Sequence, residues 1–123
     1  MRIFFVAVLV LNLLLEGAAG TALIFGPEGA FSDVRPEGGM WAMNYGFAAL
    51  AIASAVFWIW PHRSDVKAVG AVLGILLTFH TLLSISLGIP GNQLGASITH
   101  GVMAVLCLIL FTQQAKVVQP RDA

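Results

Sequence analysis

Four apolar runs, at residues 3–25, 40–60, 68–89 and 94–111, dominate the sequence. Each is near the roughly 20 residues that a helix needs to cross the hydrocarbon core of a bilayer. No other feature restricts the fold as strongly. Lipid offers the backbone no hydrogen-bond partners, so each run must satisfy its own N–H and C=O groups as a helix. Breakers that combine Pro or Gly with polar residues separate the runs: GPEG and RPEGG between the first two, PHRSD between the second and third, and IPGN between the last two. The last connection is too short for anything but an antiparallel hairpin. The expected fold is an all-α, integral membrane four-helix bundle. It forms a single transmembrane domain over residues 1–123, with helices over 3–25, 40–60, 67–89 and 93–113.

Composition agrees with that reading and removes others. The chain is 59% hydrophobic and 10% charged, with a mean hydropathy of +0.91, far from a soluble globule. Six basic and six acidic residues cancel, so no global charge recruits nucleic acid. The lipid bilayer is the expected partner, with a homo-oligomer or a larger membrane complex left open. A single cysteine, Cys107, excludes an intrachain disulfide and any CxxC redox or zinc motif. It is expected to pack as a small apolar residue.

Orientation follows from Lys and Arg in the short flanks. Arg2, Arg63, Lys67, Lys116 and Arg121 fall on one side, whereas the loop 26–39 carries Glu28, Asp33 and Glu37 against Arg35 alone. Both termini are therefore expected in the cytoplasm, and the membrane is expected to be the bacterial cytoplasmic (inner) membrane. Trp41 near one end of the second helix and Trp58 and Trp60 near the other sit where an aromatic belt belongs. A competing reading makes the first run a secretory signal peptide: Met1-Arg2 as n-region, 3–15 as h-region and Gly17-Ala18-Ala19 as cleavage site. Against it, Glu16 is awkward at the end of an h-region and the apolar character continues to Phe25. Small residues recur at three or four positions along the third helix (Gly70, Gly74, Thr78, Thr81, Ser84) and the second (Ala48, Ala51, Ala55). Such faces are expected to admit a neighbouring backbone.

Few polar residues lie inside the runs. Asn12 and Glu16, four apart, share one face of the first helix, and Gly20 continues it. The second run holds Asn44, the third His80 and the fourth His100. At about 1.5 Å per residue, Glu16 lies about 14 Å below Phe25, His80 about 14 Å below Ile89 and His100 about 12 Å below Asn92. All three fall near the middle of a core about 30 Å thick. Asn44 is shallower and would line an entrance. An ionisable group inside a membrane is costly unless paired or neutral, which makes it a functional candidate. The ligand- or proton-binding candidates are therefore Glu16, His80, His100, Asn12 and Asn44.

Three chemistries use these residue types. In low dielectric an acid and an imidazole both favour their neutral forms, so Glu16 could hold a proton, cation or small polar cargo that the histidines relay. Two His and a carboxylate are also a ligand set for iron or zinc, so Glu16, His80 and His100 are the ligands if a metal is bound. A haem between His80 and His100 is a further possibility, although neighbouring helices about 8–10 Å apart leave it little room. No cofactor is specified. The third chemistry is none: an accessory or assembly subunit whose buried polar groups fix helix partners. The chain has no nucleophile motif, phosphate loop or HExxH, which points away from an enzyme; an enzyme acting on a lipid or quinone would use Glu and His as its acid and base.

Two family resemblances bear on these choices. A first helix ending in GTALIFGP, a polar loop and a second helix opening WAMNYGFAALAIA resemble the small DoxX-like membrane proteins of bacteria. That resemblance implies a four-helix bundle in the cytoplasmic membrane and no single activity. The stretch LEGAAGTALIFGPEGAF resembles the first helix of small multidrug resistance transporters. There a membrane-embedded Glu followed by Gly-Thr binds protons and cationic drugs competitively, which implies that Glu16 is the coupling residue; His80 and His100 have no counterpart in that pattern.

Overall fold

The structure, a computed structural model, describes residues 1–27 and 38–118. Glu28, Asp33, Arg35, Glu37 and Arg121, which the expected orientation uses, lie outside the described residues. All regular structure within them is helical: α1 (Arg2–Phe25), α2 (Gly39–Ala53), α3 (Ala55–Ile59), a 3-10 turn (Trp60–His62), α4 (Val66–Gly88), α5 (Leu94–Thr112) and α6 (Gln114–Val118). Four helical segments, Arg2–Phe25, Gly39–His62, Val66–Gly88 and Leu94–Thr112, are long and apolar enough to cross a membrane. At about 1.5 Å per residue, even the shortest, with 19 residues, reaches about 28 Å. Their outer faces carry large apolar side chains, among them Ile3, Leu14, Ile75, Leu82, Ile98 and Val105. Helices apolar on both the buried and the exposed face suit lipid rather than water.

The chain divides into two compact units, Leu9–Trp58 and Met1–Val8 with Ile59 onward. In the first, the buried stripe of α1 includes Asn12, Glu16, Gly20 and Leu23, repeating every three or four residues as one helix face must. α2 runs antiparallel to it and comes close at Gly46: a Cβ built on Gly20 would stand 2.7 Å from the Gly46 carbonyl oxygen, and one on Gly46 would stand 2.8 Å from that of Gly20. Only two glycines allow such an approach. The second helix buries Gly46, Ala49 and Ala53, while Ala48 and Ala51 are exposed. The expected face of Ala48, Ala51 and Ala55 is therefore rotated from the one that packs. In a run as rich in alanine as AALAIASA, two neighbouring faces carry nearly the same pattern of small residues.

The second apolar segment is interrupted at Ser54, which separates α2 from α3. The turn tightens there, with the Phe57 amide donating to the Ser54 carbonyl at 2.9 Å. The Ser54 hydroxyl donates to the Ala51 carbonyl (2.7 Å) and accepts from the Trp58 indole (3.2 Å). A polar group on an apolar surface is thus satisfied within its own segment.

In the other unit, Asp65 caps α4 by accepting from the amides of Lys67 (2.8 Å) and Ala68 (3.4 Å), a contact typically worth about 1 kcal/mol. The turn to α5 passes through Gly91 at φ +76°, a left-handed conformation open to glycine at little cost. α4 and α5 then pair as an antiparallel hairpin, and α6 packs back on α4, with Gln114 lying against Gly70. On α4, Gly70, Leu73, Leu76 and His80 are buried, but Thr78 and Thr81 are exposed, so those two leave the expected small-residue face. Cys107 is fully buried on α5. Beside the 3-10 turn, the Arg63 guanidinium lies 4.8 Å from the centre of the Trp60 ring and donates to the Trp60 carbonyl (2.6 Å).

Candidate functional site

On α1, Asn12 and Glu16 are both fully buried. The Asn12 amide donates across to the Ile52 carbonyl on α2 at 3.1 Å. That bond, with the Gly20–Gly46 approach two turns away, fixes which face of α1 is covered, and Glu16 stands midway between them. A carboxyl group buried on an otherwise apolar helix is costly to retain for packing alone. Asn44, by contrast, is exposed on α2 and does not belong to the buried set.

On the hairpin, His80 and His100 meet. Their Nδ1 atoms are 2.9 Å apart, and both residues are buried, at 0% and 7% exposure. The ring planes differ by 28° and the ring centres are 5.2 Å apart. A ring atom lies about 1.15 Å from the centre of an imidazole, so 2.9 Å between nitrogens gives about 5.2 Å between centres only when the rings point at each other head on. The contact is thus an in-line N–H···N bond between nearly coplanar rings rather than a face-to-face stack. One ring donates from Nδ1 and the other accepts there, which forces opposite tautomers on a neutral pair.

The surroundings hold this pair in place. One turn toward the loop, the Ser84 hydroxyl donates to the Ser97 carbonyl (2.8 Å) and the Ser97 hydroxyl donates to the Ser84 carbonyl (2.7 Å). Gly88 and Gly101 provide room for those hydroxyls. Phe79 sets its ring edge-on to both imidazoles, with centres 5.2 Å from His80 and 6.4 Å from His100. Ser97 and Phe79 were not among the residues singled out from the sequence. A signal existed for Ser97: Ser84 follows His80 by four and Ser97 precedes His100 by three, so each serine shares a helix face with its histidine.

The residue types could bind a metal, but the geometry of the histidine pair does not favour chelation through Nδ1. Bonds of about 2 Å to an ion between the two nitrogens need a wider gap when the bonds are collinear. When they are bent, the lone pairs must converge on the ion, whereas here they point at each other. The same 2.9 Å leaves no room for a porphyrin between the rings. No family model, curated protein or solved structure matches this chain.

Proposed function

We propose that this chain is a small integral protein of the bacterial cytoplasmic membrane, with both termini cytoplasmic. In this reading Glu16, His80 and His100 form one site near the membrane midplane that handles a proton, cation or small polar cargo, as a transporter does. The observation that carries it is the head-on hydrogen bond between two buried histidines, an arrangement suited to sharing a proton. Depth supports adding Glu16. Counted from the helix ends at Phe25, Gly88 and Leu94, Glu16, His80 and His100 lie about 14, 12 and 9 Å inside at 1.5 Å per residue. The resemblance of LEGAAGTAL to the first helix of small multidrug resistance transporters points the same way for Glu16.

Uptake into proteoliposomes driven by a pH gradient tests the reading. Native protein takes up cargo and Glu16→Gln does not. Equal, non-zero uptake removes Glu16 as the coupling residue, and no uptake of any tested cargo favours an accessory subunit. Stoichiometric iron, zinc or haem in purified protein would replace the transport reading with a metal or haem site. For topology, a reporter fused after residue 123 is expected to be active in the cytoplasm and one inserted within 26–39 on the opposite side.

A further inference from the structure

We propose that the turn between the second and third spans binds the phosphate of an anionic phospholipid, with Arg63 gripping it and Lys67 adding charge beside it. The proposal rests on the chain lying in a bilayer and is independent of any role for Glu16, His80 and His100.

The place of the turn in the chain selects the partner. Residues 60–65 join Gly39–His62 to Val66–Gly88, two segments long and apolar enough to cross a membrane, so they lie at the headgroup level of one leaflet. The turn has two characters at that level. Trp60 and Val66 are exposed apolar groups, and an indole at a membrane surface sets its apolar body against lipid. Arg63 is half-buried, and Lys67 is exposed.

Arg63 is already held in position. Its guanidinium lies 4.8 Å from the centre of the Trp60 ring, and Nη1 donates to the Trp60 carbonyl at 2.6 Å. Ordering a long side chain normally weakens binding, and these local contacts meet that cost before a ligand arrives. A guanidinium carries further N–H donors in a planar fork, which matches a pair of phosphate oxygens. The turn has a single acidic residue, Asp65, whose Oδ1 is directed back at the amides of Lys67 and Ala68. Positive charge is added from α6, which packs on α4 with Gln114 against Gly70, one turn beyond Lys67. Lys116 stands two residues from that contact, its ammonium 3.5 Å from the Gln113 side-chain oxygen. An anionic phospholipid brings a phosphate for the basic groups and acyl chains for the apolar ones, whereas free phosphate engages only the former.

The test measures, by electron paramagnetic resonance, the association of spin-labelled phosphatidylglycerol and phosphatidylcholine with the full chain in phosphatidylcholine vesicles. Native protein is expected to hold the anionic lipid about tenfold more tightly than the zwitterionic one, as charge-assisted hydrogen bonds allow. Arg63→Gln should remove most of that preference, and Lys67→Gln should lower it by about fivefold at most. Arg63→Lys, which keeps the charge and loses the fork, should fall nearer to Arg63→Gln than to native protein. Equal association of the two lipids with native protein overturns the site. A native preference in Arg63→Gln overturns Arg63 as the residue that grips the phosphate, and one in Arg63→Lys overturns the held fork. Displacement of the anionic lipid by inorganic phosphate, but not by chloride at equal ionic strength, overturns the lipid as occupant. If Arg63→Gln fails to fold, the lipid preference of native protein and its loss in Lys67→Gln decide.

Discussion

The two antiparallel helix pairs are held by opposite means. α1 and α2 meet backbone to backbone at Gly20 and Gly46, with a side-chain bond from Asn12 to the Ile52 carbonyl. α4 and α5 are joined by hydrogen bonds from side chains, Ser84 and Ser97 each to the other's carbonyl and His80 to His100. Where apolar burial does not drive helices together, close packing of small residues and hydrogen bonds between helices are the available forces. The first pair uses mainly one and the second mainly the other. Close packing tolerates no added volume, whereas a polar hook can be lost at modest cost, so the two pairs should respond differently to mutation.

The largest effect is expected at the glycine contact. In Gly46→Leu the new Cβ would lie 2.8 Å from the Gly20 carbonyl oxygen, a backbone atom that cannot move without its helix. A loss of about 3 kcal/mol or more in reversible unfolding in mixed micelles is expected. Gly17→Ala, where a Cβ meets nothing within 4 Å, should be neutral or slightly stabilising. Equal stability of Gly46→Leu and native protein would remove the glycine contact as the basis of the α1–α2 pair.

Next comes Asn12→Leu, which removes the bond to Ile52 and is expected to cost about 1 kcal/mol in the same assay. A cost near zero would leave the Gly20–Gly46 approach as the sole determinant of the α1 face. The smallest effects belong to the hairpin hooks. Ser84→Ala and Ser97→Ala should each cost about 0.6 kcal/mol, and no more than about 1.7, the range found for hydrogen bonds between membrane helices. The two bonds are reciprocal and adjacent, so a double-mutant cycle should return a coupling of at least about 0.5 kcal/mol. Additive losses would mean that each bond forms independently.

The helical character and the number of long apolar helices were legible because hydrophobic length is a direct consequence of bilayer thickness. The reversal at Pro90-Gly91 was legible for a similar reason, since so few residues can join two long helices only by turning back. That Asn12, Glu16 and Gly20 share one face of α1 could be read from their spacing, but that this face is the covered one follows from the Gly20–Gly46 approach and the Asn12 bond to Ile52. Helix rotation in alanine-rich segments was not legible. Ala48 and Ala51 have the same size and spacing as Ala49 and Ala53, and only the approach at Gly46 decides between the two faces. Nor was the tightened turn at Ser54, whose cause is a local exchange of bonds with Ala51 and Trp58. The candidate residues His80 and His100 could be named by type and depth. That their rings meet Nδ1 to Nδ1 depends on side-chain rotamers that spacing does not specify.

The central proposal is that Glu16 shares one site with the histidine pair. Magic-angle-spinning NMR on protein carrying ¹³C-labelled glutamate and ¹⁵N-labelled histidine in lipid bilayers tests it directly. A dipolar contact between a glutamate carboxyl carbon and imidazole nitrogens is predicted, and Glu16→Gln should abolish it while leaving the spectra of the histidine pair in place. No contact in the native protein, or a contact that survives Glu16→Gln, would contradict the account.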